Sequence, residues 1–386
     1  MSRFGRASQW IGASSWPLRL SLAALALSGP ALATDWSLRF GASQSLTVDD
    51  NLDLTETNRD AGLMSSTAVD LNLLGTGKSY KMGFAPRVSV ARTFFSEEPD
   101  DWSYFPSGTL LLSKWTKLTT YDLVASHSRS EASSNELVEG LITEDEGEQL
   151  NYAVTGTITH KVNERNSLIW SNAASLVDYT LPSDDLVPSL TATSTGTWRH
   201  EFTELVSSNL VGSAQYYDPD SETVEGRLLY RATAGMNARL TKRLSVAGAV
   251  GAVILDPDGD DTVIDLIYNA SADYKLKNTG YSFSFGRDLS PSQDGSLNDT
   301  YSARLSVSHA INDLTTLGAF AAYTLQTDSD DAESSAFTIS PSLSYRLSED
   351  WTSSISYRFI ETRDDVETAH SNAITFSLSY GTFLLP

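Results

Sequence analysis

The chain has 386 residues, with 27 Lys and Arg against 49 Asp and Glu, a formal charge of −22 and no cysteine. These figures exclude a disulfide framework, a thiolate metal site, a cysteine nucleophile and a lipid-modified N-terminal cysteine. So acidic a chain also argues against nucleic acid as a partner.

Arg3, Arg6 and Arg19 precede the apolar run Leu20 to Leu27, which is followed by Ala31-Leu32-Ala33. A basic start, a short apolar centre and a small-residue exit predict a secretory signal peptide over residues 1–33. The run falls short of the roughly 20 residues that a membrane-spanning helix needs, and no later segment supplies them. Without its three Arg, the remainder carries 24 bases against 49 acids, a charge of −25. No composition shift, linker or repeat divides residues 34–386, which read as one unit.

From Asp35 onward apolar residues recur at every second position, the period of a strand with one face in an apolar medium and one in water. Phe337 to Leu347 shows it plainly: Phe, Ile, Pro, Leu, Tyr, Leu on one face and Thr, Ser, Ser, Ser, Arg on the other. The same alternation runs through 36–48, 150–160, 227–240, 301–311 and 374–380. Connections alternate in length. Short ones fall at 161–165, 241–243, 275–278, 311–314 and 347–350, and long ones at 48–62, 94–102, 129–149, 217–225, 255–262, 287–299, 327–334 and 361–367. Tight turns on one rim and long loops on the other describe a transmembrane barrel with periplasmic turns and extracellular loops. The predicted fold is all-β, a closed antiparallel transmembrane β-barrel of about 18 strands, with about 16 as the alternative even number.

Aromatic residues accord with two membrane interfaces. Trp36, Trp115, Trp170, Trp198 and Trp351 fall near short-turn ends, and Tyr179, Tyr216 and Tyr301 near long-loop ends. A soluble β-sandwich or propeller also alternates, but explains neither the signal peptide nor the loop asymmetry.

Acids cluster in the long loops, at 49–53, 97–101, 144–148, 256–261 and 328–331, and predict an acidic extracellular crown. Taking the polar phase of each strand as lumenal places Arg39, Lys81, Arg87, Arg227, Arg231, Arg239, Arg304, Arg346 and Arg358 inside, with Asp70, Asp122, Asp265 and Asp273. A charge facing lipid at the midplane costs about 2–4 kcal/mol, so the inward phase suits these Arg. Basic side chains lining a pore favour anions. Arg227, Arg231 and Arg239 form a ladder on one strand that an acidic solute could follow. Arg and Asp could equally pair across strands and brace the wall.

Other sites read more weakly. Asp256, Asp258 and Asp260 alternate like a calcium loop, but Gly259 is misplaced and the twelfth position is Ile267 rather than Glu. The loop acids could hold divalent ions against lipopolysaccharide phosphates. Among the five His, His127 between Ser126 and Ser128 is the least poor candidate for a hydrolase base, and His309 lies on the apolar phase. No cofactor or metal site is expected.

Ser43-Gln-Ser-Leu-Thr-Val-Asp-Asp-Asn-Leu-Asp-Leu54 resembles the opening of a β-barrel porin family encoded alongside bacterial exopolysaccharide systems. Its members start with a strand running into an acidic Asp-Asn turn, and Asp50-Asn51-Leu52 stands at that place. The resemblance implies an outer-membrane barrel that passes or helps export a polysaccharide, without catalytic residues and with a separate periplasmic export partner. One departure is the end of the chain, where Phe383 is followed by Leu384-Leu385-Pro386 instead of the closing aromatic that barrel-assembly machinery reads.

The expected function is therefore a porin-like channel in the outer membrane of a Gram-negative bacterium, passing anionic solutes or an anionic exopolysaccharide without chemistry. Its partners would be outer-membrane lipid, lipopolysaccharide and the assembly machinery. The competing expectations are a surface barrel acting through its acidic loops, with 129–149 long enough to fold in as a plug, and a barrel hydrolase.

Overall fold

The computed structural model describes residues 35–52, 54–57, 59–94, 102–131, 148–180, 186–220, 226–257, 263–291, 297–327, 332–364 and 367–385. The predicted signal peptide, most of loop 129–149 and most of the acidic loop clusters lie outside them. The described residues form eighteen strands: β1 (Asp35–Asp49), β2 (Gly62–Thr76), β3 (Tyr80–Phe94), β4 (Trp102–Trp115), β5 (Thr119–Glu131), β6 (Glu148–Lys161), β7 (Asn166–Tyr179), β8 (Ser189–Glu201), β9 (Val206–Pro219), β10 (Arg227–Arg239), β11 (Leu244–Pro257), β12 (Val263–Lys275), β13 (Thr279–Pro291), β14 (Leu297–Ala310), β15 (Thr315–Thr327), β16 (Glu333–Arg346), β17 (Trp351–Arg363) and β18 (Thr368–Leu385).

Each strand pairs antiparallel with the next, and β18 pairs with β1, so the sheet closes on itself. Closure matters energetically, because in hydrocarbon an unpaired backbone amide or carbonyl costs several kcal/mol, and a barrel has no edge to leave unpaired. At the closing seam Gly381 makes room for Arg39, whose Nη2 lies 2.8 Å from where a Cβ would stand.

The period-two pattern sorts the side chains. Leu46, Val48, Val69, Phe84, Leu123, Val154, Leu210, Val250, Phe283, Leu305, Ile339 and Phe376 stand exposed on one face, the outer wall. Near the short-turn rim that face carries Trp170, Trp198, Tyr281, Tyr345 and Trp351, and near the other Trp102, Tyr104, Tyr216, Tyr230 and Tyr323. These are the two interfacial girdles of a transmembrane barrel, and the chain belongs in the Gram-negative outer membrane. Two aromatics depart from expectation. Trp115 shares the lumenal phase with Asp122's partner Ser113, and Tyr179 is buried against Leu186 rather than placed in a girdle.

The eight turns of the periplasmic rim have three or four residues. In the four-residue turns an apolar residue is followed by Asn163, Thr203, Thr241, Asn312 or Ser348, whose side-chain oxygen accepts from backbone N–H groups two or three residues on. Asn312 Oδ1 takes both Leu314 N and Thr315 N at 2.8 Å. Such a side chain mimics a backbone turn and fixes the reversal locally. The three-residue turns each carry a central Lys, at Lys78, Lys117 and Lys277.

The opposite rim is built differently, because three of its connections pack into the barrel. Leu54, in the first loop, is buried against Ile360 and Ala369 of the lumenal wall. It adopts φ 52°, a left-handed conformation that a Leu reaches only under strain of about 1–3 kcal/mol. Asn51 holds the loop: its Nδ2 donates to the carbonyls of Thr55 and His370, and its Oδ1 accepts from Thr55 N. Leu186 packs on Tyr179 and Val177. The third segment is the tip of the β13–β14 hairpin.

Candidate functional site

The lumen is the concave surface on which a solute could act. It is lined with hydroxyls: Ser43, Ser45 and Thr47 on β1, Thr191, Thr193, Thr195 and Thr197 on β8, and Ser340, Ser342 and Ser344 on β16 share the inward phase with the lumenal Arg. By register Arg39, Arg87, Arg227, Arg231, Arg239, Arg304, Arg346 and Arg358 all lie on that phase. Arg39, Arg239 and Arg346 sit toward the periplasmic ends of their strands, Arg87, Arg304 and Arg358 about halfway, and Arg231 and Arg227 toward the extracellular ends. The structure thus spreads them around and along the pore; the ladder of Arg227, Arg231 and Arg239 is one part of a dispersed set.

They differ in what holds them. Arg358 pairs with Asp49 at 3.2 Å, and the buried Asp49 also accepts from Ser371 Oγ and from Asn51 N. Arg231 donates through Nη1 to Gln215 Oε1 at 2.6 Å and through Nη2 to the Leu289 carbonyl, and its Nε lies 3.5 Å from Asp288. The guanidinium groups of Arg39, Arg87, Arg227, Arg239, Arg304 and Arg346 form no hydrogen bond or ion pair among the described residues. Two of these Arg thus brace the wall, and the other six have no such hold among the described residues. Of the lumenal acids, Asp265 is taken by Arg287, and Asp122 accepts from Ser113 Oγ. Arg87 borders a groove of about 290 Å³ with Asp70, Asn72, Ser107, Thr109 and Ser126.

The sequence reading left Arg199 out of the lumenal bases. Arg199 continues the inward phase of the Thr row on β8 and lies 3.4 Å from Glu201. The alternation alone would have found it.

The β13–β14 tip narrows the extracellular half. Beyond Arg287 the tip leaves β12 and turns inward, and Leu289 covers a buried lumenal cluster of Tyr217, Leu229, Val253 and Ile267. Arg231 of β10, itself held by Gln215 of β9, pins it. Among the described residues this hairpin thus turns inward along with the segments that carry Leu54 and Leu186, whereas the expected plug of 129–149 lies mostly outside them.

The hydrolase candidate is corrected. His127 occupies the outward phase and stacks on Tyr152 with ring centroids 4.7 Å apart, while Ser126 and Ser128 point the other way. In a strand, sequence neighbours face opposite sides of the wall, so this His and these Ser cannot form one site. His309 is outward as expected, its Nδ1 2.8 Å from Thr279 Oγ1. The calcium-like acids Asp258 and Asp260 lie outside the described residues.

No family model matches the sequence, and no curated protein does. Solved structures do match in fold. Pseudomonas aeruginosa OpdQ is 11% identical with a TM-score of 0.51, covering 91% of this chain and 99% of that one. Acinetobacter baumannii OccAB3 is 10% identical with a TM-score of 0.53, covering 91% and 100%. Pseudomonas aeruginosa OpdO is 12% identical with a TM-score of 0.52, covering 91% and 98%. At such identity the likeness is one of architecture, over nearly the full length of the barrel.

Proposed function

We propose that this barrel is a porin-like channel of the outer membrane that favours small anionic solutes and passes them without chemistry. The observation that carries the reading is the set of six lumenal Arg whose guanidinium groups have no partner among the described residues, facing a hydroxyl-lined pore in a chain whose net charge is strongly negative. Basic groups at close quarters raise the local concentration of anions and repel cations, an effect that salt weakens. Small anions are favoured over an anionic polysaccharide because the β13–β14 tip is pinned inside the extracellular half, where a polymer would have to displace it. Residues 1–33 serve in this reading as the export leader.

The test is the reversal potential of the refolded barrel in a planar bilayer under a salt gradient. Anion selectivity is expected. Replacing Arg39, Arg87, Arg239, Arg304 and Arg346 together with Gln should move the potential toward zero. A potential that stays in place after the substitution removes the role of these residues, and a folded, silent barrel favours the surface reading.

A further inference from the structure

The wall of the barrel has one place where pairing stops early and a charged side chain stands in its stead. β12 and β13 pair only from Lys275 opposite Gly280 to Tyr268 opposite Arg287, the shortest ladder in the sheet, although both strands continue toward the extracellular rim. Continued register would set Ile267 opposite Asp288 and Leu266 opposite Leu289, but β13 has turned inward there. The carbonyl of Leu266, deprived of a strand partner, accepts instead from Arg287 Nη1 at 2.9 Å. The same guanidinium binds Asp265 of β12 at 3.0 Å and Asp299 of β14 at 2.8 Å, and lies 5.4 Å from the ring centre of Tyr301. One side chain thus closes a break that backbone amides close elsewhere.

Both sides of that break are apolar. Outside, Ile264 and Leu266 are 68% and 53% exposed. Inside, Val253, Ile267, Leu255 and Leu289 form the cluster under the hairpin tip. An open edge with apolar flanks is costly in lipid unless something occupies it. The β4–β5 ladder also ends early, at Ser107 opposite Ser128, but among the described residues no buried apolar cluster backs it.

We propose that the extracellular part of the β12–β13 seam is a lateral portal between the lumen and the outer leaflet, latched by Arg287, for single-chain anionic amphiphiles. Their head group competes with Asp265 and Asp299 for Arg287, with Arg231 close by on the lumenal side. Their alkyl chain takes the path between Ile267 and Leu289 within and Ile264 and Leu266 without. A small hydrophilic anion lacks the chain that would hold the seam apart. The portal is independent of the channel's ion selectivity, so either reading can fail alone.

The native chain has no cysteine, so single thiols can be placed cleanly. Ile267→Cys puts a buried thiol beside the seam, and Ile360→Cys puts one at a similarly buried lumenal position remote from it, behind the β16–β17 and β17–β18 ladders. Reconstituted in phosphatidylcholine vesicles, each is exposed to N-dodecylmaleimide, which approaches from the lipid. The expected result is alkylation several-fold faster at position 267 than at 360, slowed by dodecanoate and unaffected by acetate. Equal rates at the two positions, or indifference to dodecanoate, overturn the portal. Arg287→Gln added to Ile267→Cys should speed alkylation further, and an unchanged rate in a folded barrel removes the latch. Should that variant fail to fold, the comparison of the two thiols with Arg287 intact still decides.

Discussion

The two halves of this barrel solve the same problem by different means. On the periplasmic side each reversal is closed within three or four residues, often by one Asn, Thr or Ser side chain, and the lumen carries unpaired Arg39, Arg239 and Arg346. On the extracellular side much of the order comes from distant parts of the chain: Leu54 on Ile360, Leu289 on Leu229 and Val253, with Arg231, Arg287 and Arg358 tied to carboxylates. A lumenal Arg that fastens an inward-folded segment is spent on structure. In the proposed channel, solute passage would be left to those that fasten nothing.

This contrast can be broken most severely at Leu229, which is fully buried where the hairpin tip meets the wall. Leu229→Ala should destabilise the barrel by about 3 kcal/mol, read from the denaturant midpoint of a folded sample in detergent, because the cavity is bounded by a strand on one side and the tip on the other. A shift within experimental error would mean that the tip does not pack there. Arg231→Gln acts on the same tip more gently. Losing its hold on the Leu289 carbonyl and Asp288 should cost about 1–2 kcal/mol and raise single-channel conductance as the tip loosens. Unaltered conductance would show that the tip does not limit the pore. The smallest effect is expected on the other rim, where Asn312→Ala removes two turn hydrogen bonds and should cost about 1 kcal/mol, with conductance and selectivity unchanged.

The strands, the loop asymmetry and the inward phase of the Arg were legible because an alternation of period two has only two settings, and an Arg at the midplane tolerates one of them. What a single guanidinium does after facing inward was not legible, since Arg231 and Arg239 look alike in sequence and differ only in what the hairpin tip brings near. A signal for the tip was nonetheless present. Tyr217, Leu229, Val253 and Ile267 interrupt the polar phase at the extracellular ends of four successive strands. Apolar residues on a water-facing phase ask for a cover, and Leu289 supplies it. The early end of the β12–β13 ladder left a different trace, because Arg287 stands on the outward phase of Tyr281, Phe283 and Phe285 and breaks the alternation of β13 where the strands part. His127 misled for the opposite reason: adjacency in sequence suggested a cluster that a strand divides between two environments.

The seam between β1 and β18 has a kinetic meaning. It joins the two strands farthest apart in the chain, so its pairs, from Asp49 opposite Ala373 down to Leu38 opposite Leu385, repay the entropy of closing the longest loop in the molecule only after every other strand is in place. Until then the nascent sheet has two bare edges, each a template for a foreign strand. Cylinder formation is then an all-or-none last event, and the half-made barrel, rather than the finished one, is the species most in need of protection.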